Sequence, residues 1–136
     1  MYTAAGQVVL NAITQVQVEE LIFLLEQLSE ARKARVAEGG KQTVDEIVDD
    51  PRRRQLTDYL YALSDEARRD LIVLTLLGRG DFDHAYERAM EARARYTDAD
   101  DQVLYLMGKT VRLAEYLRVG LGVLTRNAKA DDACGQ

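Results

Sequence analysis

One cysteine, one proline and one histidine occur among 136 residues, so three residue types that mark disulfides, turns and metal sites are close to absent. Cys134 has no partner for an intrachain disulfide, which fits a reducing compartment. Pro51 leaves the stretches on either side free to run as helix. His84 stands alone, so neither a catalytic set around Ser64 nor a metal site drawing on two elements is evident, and we expect no metal and no cofactor. No apolar run approaches the roughly 20 residues that cross a bilayer. The N-terminus carries no basic segment followed by an apolar core, and the expectation is a cytoplasmic protein without a signal peptide. A convincing period-two stretch is missing, as are a fixed-period repeat, a Walker-type phosphate loop and a calcium-loop spacing.

What is present is ordinary globular material. Hydrophobic residues make up 47% and charged residues 30%, which disfavours disorder outside the ends. A chain of this length is one domain that buries roughly two-thirds of its unfolded surface. The net charge of -5 repels nucleic acid and anionic membranes, and neither is expected as a partner. The pattern predicts an all-α, single-domain bundle of five to six helices without a sheet, preceded by an arm over 1–13, spanning 14–125, and followed by a flexible tail over 126–136.

Leu63 to Phe82 organises the rest. Ser64 is a good N-cap, and Asp65 and Glu66 suit the positive end of a helix dipole. Ala67, Leu71 and Leu74 recur at helical spacing, with Arg68, Arg69 and Asp70 on the other side of the first turns. From Leu71 to Leu77 only Thr75 is polar, so this half should be enclosed, the threonine hydroxyl returning to the carbonyl one turn earlier. Gly78 and Gly80, flanking Arg79, stop the helix, and Asp81 or Asp83 caps the next.

Upstream, Thr14 and Gln17 form a capping box, and Ile13 and Val18 a hydrophobic staple. The helix they open runs to about Ala37, with Val18, Leu21, Leu25 and Leu28 in a stripe. Leu21 to Leu25 is apolar all round, which predicts cover on two sides, by the rest of the chain or by a second copy in a homodimer. Glu38 to Lys41 is a break, Thr43 and Glu46 suggest another capping box, and Asp50-Pro51 starts a helix bearing Leu56, Tyr59, Leu60 and Leu63. Downstream, a helix from about Asp83 to Tyr96 has Ala89 on its inner side, with Glu91 and Arg95 spaced for an ion pair on its wet side. Asp98 or Asp100 caps a short helix through Met107. Thr110 is expected to cap the last, whose Leu113, Leu117, Leu121 and Leu124 form a stripe and whose Gly120 and Gly122 suggest close packing.

Leu63-Ser64-Asp65-Glu66, Leu76-Leu77-Gly78-Arg79-Gly80-Asp81-Phe82-Asp83 and Tyr105-Leu106-Met107-Gly108, followed by Leu113-Ala114-Glu115-Tyr116-Leu117 and Gly120-Leu121, resemble a small bacterial family, the domain of unknown function 3775. The resemblance covers about the last two-thirds of the chain up to Leu124. It implies a small helical bacterial protein and carries no activity, cofactor or catalytic residue with it.

The strongest chemical candidate is the corner after Leu77. Arg79, Asp81, Asp83 and His84 gather there, with Glu87 on the face of His84, in a pattern able to bind a small molecule or metal. The same residues also serve as caps and a turn. Arg52-Arg53-Arg54 is the only basic cluster and reads as solvated charge beside Asp49, Asp50 and Asp58. With no catalytic set, the expected function is noncatalytic: a homodimeric helical protein acting through protein contacts, against an alternative enzyme with its site at Gly78 to His84.

Overall fold

The computed structural model describes residues 10–37, 39, 50–80 and 85–134. Among them are six helices and no strand: α1 (Gln15–Ala37), α2 (Pro51–Ala62), α3 (Asp65–Gly78), α4 (Ala85–Arg95), α5 (Ala99–Met107) and α6 (Leu113–Cys134). The all-α, single-domain bundle is what the periodicity predicts. The proposed turn around Thr43 and Glu46 lies outside the described residues.

Helix starts follow local chemistry. Thr14 and Gln17 exchange both bonds of a capping box, at 3.1 and 3.0 Å. Asp50 accepts from the Arg52 amide at 2.9 Å beside Pro51. Ser64 accepts from the Ala67 amide at 3.1 Å, and Asp98 from that of Asp100 at 3.2 Å. The last helix departs from expectation, because Thr110 does not cap it. The backbone from Lys109 to Arg112 is taken up in three-residue turns, and the first α6 bond runs from the Tyr116 amide to Arg112 at 3.0 Å. Its backbone stays helical to Cys134.

Helix α3 is the axle, touching α4, α5 and α6. Leu71, Ile72, Val73, Leu74 and Leu77 are all buried, each contributing about 1.5–3 kcal/mol of transfer free energy. The Thr75 hydroxyl donates to the Leu71 carbonyl at 2.8 Å, so the one polar group in this run is satisfied within its own helix. Val18, Leu21, Leu25 and Leu28 of α1, Leu56 and Leu60 of α2, and Leu113 and Leu117 of α6 complete the main core.

The glycines divide their roles. Gly80 has φ 91 and donates to the Leu77 carbonyl at 3.1 Å, the turn that ends α3. Gly78 is helical, and a Cβ there would lie 1.9 Å from the Tyr116 carbonyl oxygen of α6. Gly120 returns the approach, its Cβ position 2.5 Å from the Leu74 carbonyl oxygen. Helices α3 and α6 thus meet backbone to backbone. Gly122 faces open space, so close packing is right for one of the two α6 glycines.

Arg68 and Asp70, expected on the polar side of α3, are instead buried. Their partners come from distant sequence, which helical spacing cannot reveal. Arg68 Nη1 donates toward the Leu60 and Tyr61 carbonyls, each at 3.3 Å, and to that of Leu63, closing the negative end of α2. Its Nε donates to Gln102 at 2.8 Å, and Gln102 donates to Asp65 at 2.7 Å and to the Tyr96 carbonyl at 2.9 Å. One fully buried glutamine therefore ties α5 to α3 and to the end of α4.

Candidate functional site

The corner after Leu77 bounds a pocket, and four segments build it. Arg79 is the residue at which α3 ends. Helix α4 contributes Arg88, Glu91, Ala92 and Arg95, positions i, i+3, i+4 and i+7, which fall on one helical face. Tyr96 follows α4, Tyr105 comes from α5, and Ile72 and Leu76 of α3 are the remaining apolar lining. The cavity measures about 200 Å³.

The described lining residues include three arginines, Arg79, Arg88 and Arg95, and one glutamate, Glu91. The aromatic wall holds cations at its edge. Tyr96 and Tyr105 pack with ring centroids 4.9 Å apart, the Arg95 guanidinium lies 5.5 Å from the Tyr96 centroid, and Lys109 Nζ lies 5.5 Å from that of Tyr105.

Of the residues singled out at this corner from sequence, Arg79 lines the pocket. Asp81, Asp83 and His84 lie outside the described residues. Among the described residues no group of three or more His, Cys, Asp or Glu is placed to hold a metal ion. Sequence spacing gives Arg95 a surface pair with Glu91 and gives Arg88 no role. Their i, i+7 spacing around Ala92 was the available signal, but nothing in it says that this face folds over α3 and α5.

A family model for a protein of unknown function (DUF3775) matches residues 53–125, more than half of the chain. The chain belongs to that family. No curated protein and no solved structure matches it. The family segment runs from α2 into α6 and contains the whole corner pocket, whereas α1 lies outside it.

The second surface of interest is on α1. Leu21, Ile22 and Leu25 are buried and Leu24 partly so, while Phe23 is 60% and Val16 62% exposed. The chain itself therefore covers most of the apolar run and leaves one aromatic ring outside. Val16, Phe23 and Leu24 line a groove with Gln55 and Tyr59 of α2. Tyr59 is anchored there, its hydroxyl donating to the Gln17 carbonyl at 2.9 Å and to Glu20 at 3.0 Å. Burial, then the Glu20 bond and charge, push its pKa up to about 12. Toward the start of α2 the groove continues between Glu26 and Glu30 on one side and Arg52 on the other. No helix among the described residues is long and apolar enough to cross a membrane.

Proposed function

We propose that this protein is a noncatalytic helical module that acts through protein contacts in the cytoplasm, and that its first partner is a second copy of itself seated on α1 and α2. The observation carrying the reading is Phe23, a large apolar side chain 60% exposed beside Val16 at the lip of a groove. Isolated exposed apolar residues are common, but two on one helical face beside a groove mark an interaction surface. The choice of a second copy rests on charge. Glu26 is held by Arg118 of α6, so the acidic edge left for a partner is Glu30, which lies across the same groove from the basic edge of Arg52. A two-fold axis through Phe23 sets each acidic edge against the partner's basic one, the self-complementarity that an isologous dimer requires.

Sedimentation equilibrium across the micromolar range tests this. The wild-type chain is expected to be dimeric and Phe23→Glu monomeric with unchanged helix content. A wild-type monomer throughout that range overturns the pairing, as does a Phe23→Glu dimer of wild-type affinity.

A further inference from the structure

We infer that the outer face of α2 and α5, centred on Tyr61 and Leu104, is a docking surface for a basic amphipathic helix of another protein. It lies on the flank of α2 away from α1, since Tyr59 bonds to α1 whereas Thr57 and Tyr61 bond to α5, and its occupation does not depend on pairing.

Two cross-bridges set the geometry. The Tyr61 hydroxyl donates to Asp100 at 2.7 Å, and the Thr57 hydroxyl approaches the Met107 sulfur at 3.8 Å, so α2 and α5 run antiparallel. Leu104 stands one turn beyond Asp100 on α5, between the two bridges. It is 72% exposed, and Tyr61 is 46% exposed. An aliphatic and an aromatic side chain on adjoining helices thus form an apolar strip over their seam, the kind of surface on which a helix lays its own apolar stripe.

Charge selects the occupant. Asp58 lies one turn before Tyr61 on α2, Asp101 lies one turn before Leu104 on α5, and both are exposed, as are Asp98 and Asp100. Tyr61 responds to this acidity: its pKa is raised by the Asp100 bond first, then by burial and by the charges of Asp100 and Asp98, with Arg68 opposing. The nearby cations are engaged. Arg68 is buried against the Leu60, Tyr61 and Leu63 carbonyls, Lys109 Nζ lies over the Tyr105 ring, and Arg54 has a contact of its own. Among the described residues no cation pairs with Asp58 or Asp101. Outside them, residues 1–9, 38, 40–49, 81–84 and 135–136 carry one lysine and six acidic side chains, and 125–134 balances two cations with two acids, so no cationic surplus is held there. An apolar strip rimmed by carboxylates favours hydrocarbon flanked by lysine or arginine. A second copy of this chain does not offer that, because its exposed apolar ridge, Val16 and Phe23, is flanked by Glu19 and Glu20 and would meet like charge.

The probe is an amidated peptide helix with leucine on one face and lysine on the other, titrated into the full chain and followed by amide NMR shifts. Its controls are the same peptide with glutamate for lysine and a lysine-rich peptide without leucine. The leucine–lysine helix is expected to give saturable shifts centred on Asp58, Tyr61, Asp101 and Leu104, and the two controls none. Leu104→Ser, and separately Asp58→Asn combined with Asp101→Asn, should each weaken that binding by roughly ten-fold or more, all three positions being exposed and outside the core. Glu19→Gln removes a negative charge from α1 instead and should bind as wild type at this face. Phe23→Glu should also bind there as wild type, which separates failure of the pairing from failure of the docking surface. Shifts centred elsewhere or spread over the whole surface, equal binding by either control peptide, or wild-type affinity in Leu104→Ser or in the paired aspartate variant overturns the assignment.

Discussion

Asp70 and Arg93 meet at 2.8 Å, the aspartate side chain wholly buried and the arginine 16% exposed. The same carboxylate accepts the backbone amides of Asn11, Ala12 and Ile13 at 2.7–3.1 Å. One anion therefore joins α3, α4 and the chain leading into α1. Removing one member of a buried ion pair strands the other, which is far costlier than losing a surface bridge. Asp70→Ala should lower stability by about 3–5 kcal/mol in urea unfolding at neutral pH, and hydrogen exchange at residues 11–13 should accelerate with it.

The contact between α3 and α6 makes a sharper comparison. A methyl group at Gly120 meets the Leu74 backbone, which cannot swing aside as a side chain would. Gly120→Ala should cost about 1–3 kcal/mol through overpacking. Gly122→Ala, two residues along the same helix with nothing within 4 Å, should stabilise by up to about 1 kcal/mol. Thermal unfolding of the two variants side by side decides it, and equal effects would contradict the backbone contact.

Gln102 leads to an acid-side prediction. Its amide bond to Asp65 is the main cause holding that carboxyl below the ordinary aspartate value, burial opposing it and the Arg69 bond adding to it. A depressed folded pKa favours the native state above the unfolded value near 3.9, and that contribution disappears as pH falls through the folded one. Gln102→Leu should raise the Asp65 pKa, visible in side-chain carboxyl NMR shifts. It should also destabilise the fold at neutral pH by about 1–3 kcal/mol, because Arg68 Nε loses its buried acceptor.

Tyr59 gives the opposite sign at the alkaline end. Its pKa is pushed up to about 12, so the neutral phenol is favoured in the folded chain. That contribution is complete below pH 10 and is lost as pH rises from there through 12. Tyr59→Phe should flatten the fall in stability over that interval. At neutral pH it should cost about 1 kcal/mol for the bonds to Gln17 and Glu20.

Caps were readable because their chemistry is local. Ser64 and Ala67, or Thr14 and Gln17, are three residues apart, and the side chain that starts each helix is adjacent to the amide it serves. The enclosed half of α3 was readable from its unbroken apolar run, and Gly120 from its helix-weakening position. Arg68 and Asp70 were not, since Gln102 and the 11–13 backbone are 34 to 59 residues away, and only the assembled bundle brings them near. The corner was half legible. Arg79 follows an obvious helix stop, but Arg88 and Arg95 look like any wet α4 residues until α3 and α5 supply the floor and far wall beneath them.

Helix α1 stands outside the family segment, yet Val18, Leu21, Leu25 and Leu28 are part of the same core that residues 53–125 enclose. A polypeptide trimmed to those family boundaries would carry a greasy trough where α1 had been, and would precipitate or recruit a surrogate helix before it behaved as an autonomous fold.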